Sequence, residues 1–166
     1  MIIGMANVSF KPTADIIESA NKLFEEQQNR IKKRLPYADV QHIGSTAIPN
    51  SVTKGDVDIV VRVSSEEFAE ARGALMTLYK INQKGNWTDI FASFKDDKSF
   101  SADLGVQLVV ENSKSDDFVK IRDAIRENPD MLKEYNEMKQ RFENKDMEEY
   151  RKEKAKFFQK LRERFT

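Results

Sequence analysis

The densest run of chemically capable residues lies between positions 42 and 59, where His42-Ile-Gly44-Ser45-Thr46-Ala-Ile-Pro-Asn50 is followed by Lys54-Gly55-Asp56-Val-Asp58-Ile. Residues i and i+2 of a strand share a face, so Asp56 and Asp58 project to one side while Val57, Ile59, Val61 and Val63 pack on the other. Carboxylates rooted about 7 Å apart can lean together around one or two Mg²⁺ (or Mn²⁺) ions. A two-metal centre needs its ions about 3.5–4 Å apart to clamp both oxygens of a phosphoryl displacement. Gly44 lets a backbone approach a phosphate closely, and the Ser45 hydroxyl can donate to it. The plainer alternative makes Asp56 a turn residue after Gly55 and Asp58 a solvent-facing strand residue.

His42 is the only histidine and the chain has no cysteine, so a zinc site or a thiolate nucleophile is excluded. Sharing a strand side with Val40, His42 is either a satisfied imidazole or a ligand contact. Further cations stand on the inward faces of predicted helices: Arg122 and Arg126 beside Phe118, Ile121 and Ile125, Lys139 between Tyr135 and Phe142, and Lys154 one turn from Tyr150 and Phe157. A cation on such a face needs a partner, either Asp123, Glu134 and the strand carboxylates or the phosphates of a ligand. Lys152, Lys156, Lys160, Arg162 and Arg164, with Glu153 and Glu163 interleaved, are expected to form a solvated face.

The elements that must position these residues follow from periodicity. An apolar stripe at three- and four-residue spacing predicts a helix over 14–35, opened at Pro12-Thr13 and ended by Pro36. Strands are expected at 40–43, 56–63, 87–95 and 102–111. A helix over 65–79 has Ser64 and Glu67 at capping-box spacing. Beyond Glu111 the pattern is helical. Ser115 is expected to cap 116–127, Asn128-Pro129 to stop one helix and start the next, and Asp146 with Glu149 to open a last helix with Tyr150, Phe157, Phe158, Leu161 and Phe165 inward. The fold class is therefore α/β (α+β), a mixed sheet flanked by helices over 1–111 with a helical appendage of about three helices over 112–166, the whole read as one domain.

Gly44-Ser45 followed by Asp56-x-Asp58 resembles the signature of the nucleotidyltransferase superfamily fold. More narrowly, His42-x-Gly-Ser-Thr-Ala-Ile-Pro with Lys54 and Asp58 resembles the GrpB family within it. So does the tail: Ile121-Arg122-Asp123-x-x-Arg126, Pro129, Tyr135-x-x-x-Lys139 and Tyr150-x-x-x-Lys154-x-x-Phe157. The resemblance runs from Phe10 to about Phe158. It implies Asp56 and Asp58 as metal-holding catalytic residues, with Gly44, Ser45, Thr46, Lys54, Arg122, Lys139, Tyr150 and Lys154 around a nucleotide or phosphate. The similarity of some members to a domain appended to dephospho-CoA kinase hints at nucleotide or coenzyme A metabolism. Three departures stand out. Asn50 replaces a glycine. Asp56 restores a second carboxylate where the family commonly has one. Asp103-Leu-Gly-Val-Gln107 stands where paired histidines are usual, leaving Asp103 as a candidate third carboxylate.

Two functions compete on this sequence. One is a Mg²⁺-dependent nucleotidyltransferase moving NMP from an NTP to an unknown acceptor. The other is a non-catalytic module binding a nucleotide, coenzyme A or another phosphorylated ligand. An RNA-binding role is disfavoured because Lys+Arg and Asp+Glu are both 28. With no basic leader and no long apolar run, a cytoplasmic protein without a membrane span is expected.

Overall fold

The computed structural model describes residues 7–165; the start of the chain, on which the expectation of no leader partly rests, lies outside them. The first long helix, α1 (Ile17–Arg34), buries Ala20, Leu23, Gln27 and Ile31 and is entered through a 3₁₀ turn at Thr13–Asp15. Its last turn, Lys32, Lys33 and Arg34, suits the helix dipole.

Seven strands are present among the described residues. Three have two residues only, β1 (Lys11–Pro12), β3 (Val52–Thr53) and β5 (Lys80–Ile81). The others are β2 (Asp39–Ile43), β4 (Val57–Val63), β6 (Phe91–Asp96) and β7 (Leu104–Val110). The main sheet has the order β2-β4-β7-β6-β5, and β1 pairs with β3 apart from it. The β4–β7 pair is parallel; β2–β4, β6–β7 and β5–β6 are antiparallel. Register sets Asp58 opposite Ile43 of β2 and Gly105 of β7.

That register gives the sheet two unlike faces. Val57, Ile59, Val61 and Val63 join Leu104, Val106 and Leu108 in a core closed by α1 and α2 (Phe68–Leu78). The opposite face carries Asp58 and Gln107, and its apolar centre, Ile43, Val60 and Val109, packs against Phe118 of α3 (Phe118–Glu127). Two further helices, α4 (Pro129–Gln140) and α5 (Met147–Glu163), share a second core with α3 in which Ile121, Ile125, Met131, Tyr135, Met138, Tyr150 and Leu161 are buried.

Capping chemistry accounts for several element ends. Ser64 and Glu67 exchange reciprocal bonds, Ser64 N–H to Glu67 Oε1 at 3.2 Å and Glu67 N–H to Ser64 Oγ at 3.3 Å, closing a turn from which α2 starts at Phe68 rather than at 65. Asn128 accepts from the amides of Asp130 and Met131, and Asp146 accepts from that of Glu149. Three expectations are corrected. The strand expected at 87–95 starts only at Phe91, because the Trp87 indole donates to the Asn82 carbonyl at 3.0 Å and holds a turn. Ser115 does not cap α3; Asp117 stands at that position and its carboxylate takes Arg162 instead. Phe165 points outward and is 43% exposed. Among the described residues, no helix is long and apolar enough to cross a membrane.

Candidate functional site

Asp58 sits where the sheet leaves no room for neighbouring side chains. At the end of β2, Gly44 has φ 75° and ψ −175°, a region open essentially to glycine alone. A Cβ there would lie 2.6 Å from Asp58 Oδ2, and one on Gly105 would lie 2.6 Å from Asp58 Oδ1. The carboxylate is thus fitted between two residues without side chains, on the strands either side of its own. Burial pushes its pKa up to about 6; the Lys154 charge opposes that rise and Asp56 adds to it.

A cavity of about 230 Å³ opens from this carboxylate, between the sheet and the helical tail. Asp58, Gly44 and Gln107 come from the sheet, Arg122 from α3, Tyr135 from α4, and Lys154 and Arg162 from α5; Ile48, Ile121, Ile125 and Phe158 supply apolar walls. Positions 154, 158 and 162 are spaced by four residues, so one face of α5 delivers Lys154, Phe158 and Arg162 together. The Lys154 ammonium lies 6.0 Å from the Tyr150 ring centre and 5.8 Å from that of Phe158, and makes no ion pair among the described residues. Burial lowers its pKa while Asp58 pulls it back up. Arg122 is held rigidly, donating through Nη1 to the His42 carbonyl at 2.9 Å and through Nε to Asp123 at 2.9 Å.

The structure brings Asp58, Gly44, Arg122 and Lys154 of the expected set to the cavity and places the rest beside or behind it. The Ser45 hydroxyl is engaged with that of Thr53 at 2.7 Å. Thr46 is buried; its hydroxyl donates to the Asp56 carbonyl at 3.1 Å and meets His42 Nε2 at 2.8 Å. Lys139, only 1% exposed, donates to the Val52 carbonyl at 2.7 Å and lies 3.9 Å from the Tyr135 ring centre. It anchors α4 to β3 rather than reaching the cavity. Tyr150 is a core residue packed edge-on against Phe10. His42 stacks on Phe24 of α1 with ring centres 5.0 Å apart, and burial with the charges of Arg122 and Arg126 lowers its pKa to about 4. Asn50, which stands in place of a glycine, has the left-handed conformation, with φ 66°.

Among the described residues, no third carboxylate joins Asp56 and Asp58, and no three His, Cys, Asp or Glu side chains converge as metal ligands. Asp103 is exposed; its backbone carbonyl accepts from the Val57 amide at 2.9 Å, and its pKa is raised by desolvation and by Asp56. Asp56 Oδ2 lies 3.4 Å from Lys54 Nζ. The charges of Lys54, Lys139 and Lys154 all act on Asp58. With Lys54 beside Asp56 and the charges of Lys54, Lys139 and Lys154 acting on Asp58, these two carboxylates offer fewer oxygen donors than a pair of hard dications takes. The same positive charge suits an anion.

Arg162, Tyr135 and Gln107 are the polar cavity residues that sequence reasoning did not assign to the site. Arg162 was expected on the solvated face; its Nε pairs with Asp117 at the start of α3 while its side chain lines the cavity. The four-residue spacing from Lys154 is the signal that finds it. Gln107 follows from strand alternation with Gly105.

The family model described as GrpB protein matches residues 15–164. A UPF0157 protein of Vibrio cholerae serotype O1 is 33% identical over 155 residues, which span 93% of this chain and 82% of that protein. Among solved structures, the conserved protein GrpB from Enterococcus faecalis superposes with a TM-score of 0.61 at 21% identity, covering 74% of this chain and 77% of its own. The Cid1 poly(U) polymerase with MgGTP bound superposes with a TM-score of 0.51 at 12% identity, over 74% of this chain and 41% of that one. At these identities the two structures bear on the fold, which is nucleotidyltransferase-like.

Proposed function

We propose a function on one premise: the chain belongs to the GrpB family and carries a nucleotidyltransferase-like fold. Its cavity binds a nucleotide, coenzyme A or another phosphate-bearing small molecule through cationic side chains, without a metal. The carrying observation is Lys154, a half-buried ammonium that lines the cavity and has no ion pair among the described residues. A phosphate beside it, also in reach of Arg122 and Arg162, would supply the counter-charge that a buried cation requires. Asp58 opposes the lowering of the Lys154 pKa by burial and presents an acceptor to a ligand hydroxyl. The apolar walls of Ile121, Ile125 and Phe158 receive the ligand's planar or aliphatic part. At about 230 Å³ the cavity is smaller than the roughly 300–1,000 Å³ usual for ligand pockets, which favours one partly enclosed ligand over an NTP and an acceptor together.

A second reading rests on Asp56 and Asp58 at the start of β4 and on the likeness to Cid1 with MgGTP bound. In it the two carboxylates hold Mg²⁺ (or Mn²⁺), and the chain transfers NMP from an NTP to an acceptor. That reading requires Lys54 to leave Asp56 and a further ligand such as Asp103 to join.

Thermal unfolding with ATP, GTP and coenzyme A, with and without Mg²⁺, separates the two. A ligand at 100 times its Kd adds about 2.7 kcal/mol, a rise of several degrees for a chain of this size. The anion-binding reading predicts a rise without metal that persists in Asp58→Asn and is lost in Lys154→Ala. A rise that requires Mg²⁺ and vanishes in Asp58→Asn supports the transferase instead.

A further inference from the structure

On the other side of Arg122 lies a second groove, of about 340 Å³, along the outer edge of β2. The α1 residues that line it, Ile17, Asn21, Phe24 and Gln28, recur at helical spacing and make one stripe facing the edge strand. Arg122 and Arg126, one turn apart on α3, face that stripe across His42. The lining includes no Asp or Glu. Arg126 is exposed and has no acidic partner among the described residues, and Arg122 keeps one nitrogen of its fork, Nη2, outside its bonds to His42 and Asp123.

The bonds around His42 fix what its ring offers. Thr46 Oγ1 donates its proton to the Asp56 carbonyl, so at the 2.8 Å contact Nε2 of His42 is the donor. A neutral imidazole then has Nδ1 as an acceptor. The groove therefore combines two guanidinium groups, a neutral ring acceptor, three side-chain amides and the aromatic face of Phe24, and no carboxylate lines it. Burial is the main cause of the lowered pKa of His42, and the charges of both arginines add to it.

We propose that this groove is a second anion site, taking the phosphate monoester of a hydroxylated carrier such as a sugar phosphate. Its phosphate sits between Arg122 and Arg126, and its carrier lies against Phe24, Asn21 and Gln28. The groove is distinct from the cavity beside Asp58, and Arg122 borders both.

The chain's single histidine makes the experiment direct, because His42 Hε1 is the only histidine Hε1 resonance in the spectrum. Ribose 5-phosphate, inorganic phosphate and ribose are titrated separately while that resonance is followed. A saturable shift with ribose 5-phosphate is expected, weaker with inorganic phosphate and absent with ribose. In Arg126→Ala the midpoint moves to about tenfold higher concentration or beyond, the loss of one charge-assisted contact. In Lys154→Ala, which alters only the other cavity, the midpoint stays where it was. No saturable shift, an equal response to ribose, or a midpoint indifferent to Arg126→Ala would each overturn the proposal. So would loss of the response in Lys154→Ala, which would place the ligand in the cavity beside Asp58.

Discussion

Asp58 and His42 titrate in opposite senses, and their effects on stability oppose one another over the same pH range. His42 has a folded-state pKa of about 4 against an ordinary 6.5, so the unfolded chain binds a proton that the folded chain refuses. Its contribution falls as pH drops from about 6.5 to about 4, by roughly 3 kcal/mol at about 1.4 kcal/mol per unit. Asp58 has a folded-state pKa of about 6 against an ordinary 3.8, so the folded chain keeps a proton that the unfolded chain releases. Its contribution is greatest below about pH 4 and is lost as pH rises towards 6, again by roughly 3 kcal/mol. Urea unfolding across this range separates them. Asp58→Asn is expected to be more stable than the parent at pH 7 and to lose that advantage towards pH 4. His42→Gln is expected to gain on the parent as the solution is acidified. Curves parallel to the parent would contradict both assignments.

The turn from β2 into the 3₁₀ segment at Ser45–Ala47 owes its shape to Gly44, and its neighbour Gly105 leaves space for the same carboxylate. Gly44→Ala is expected to cost about 1–3 kcal/mol in backbone strain alone, besides displacing Asp58. Gly105→Ala carries no such strain, only the 2.6 Å approach to Asp58 Oδ1. Shortening the partner should therefore relieve it: in an Asp58→Ala background the cost of Gly105→Ala largely disappears, whereas Gly44→Ala stays destabilising. Denaturation of the single and double variants measures this coupling, and additive costs would show that the glycines do not serve the carboxylate. At this scale much of the fold was legible. Amphipathic spacing located the helices to within a few residues, and alternation set Asp58 on the face opposite Val57 and Ile59. The two-residue strands β1, β3 and β5 were not, because so short a pair has no periodicity and forms only where the rest of the fold brings it together. Nor was the division among the cations. Lys139, Lys154 and Arg162 all lie on amphipathic helices, yet one bonds the Val52 carbonyl, one faces the cavity and one pairs with Asp117. Tertiary contacts decide which does which.

Across the whole molecule, the cavity exists because the sheet and the helical tail are joined at fixed points around it. Arg62 on β4 binds Asp116 ahead of α3 through two bonds of 2.8 Å and Asp39 on β2 through one of 2.6 Å. On the other side, Asn136 of α4 accepts from the Val52 amide and donates to the Asn50 carbonyl, both at 3.0 Å. Arg62→Ala would leave Asp116 with fewer partners for a carboxylate whose pKa those bonds keep low. A loss of about 3–5 kcal/mol is expected from so complete a break, less where water reaches the vacated site. It should weaken ligand binding as well, since α3 carries Arg122. The central claim is that an anion is held here by side-chain cations and not through a metal. Titration calorimetry of GTP into the wild-type protein, once in EDTA and once in excess Mg²⁺, tests it most directly. The account predicts binding in EDTA with an affinity no weaker than in Mg²⁺. Heat that appears only with Mg²⁺ would contradict it and return Asp56 and Asp58 to the role of metal ligands.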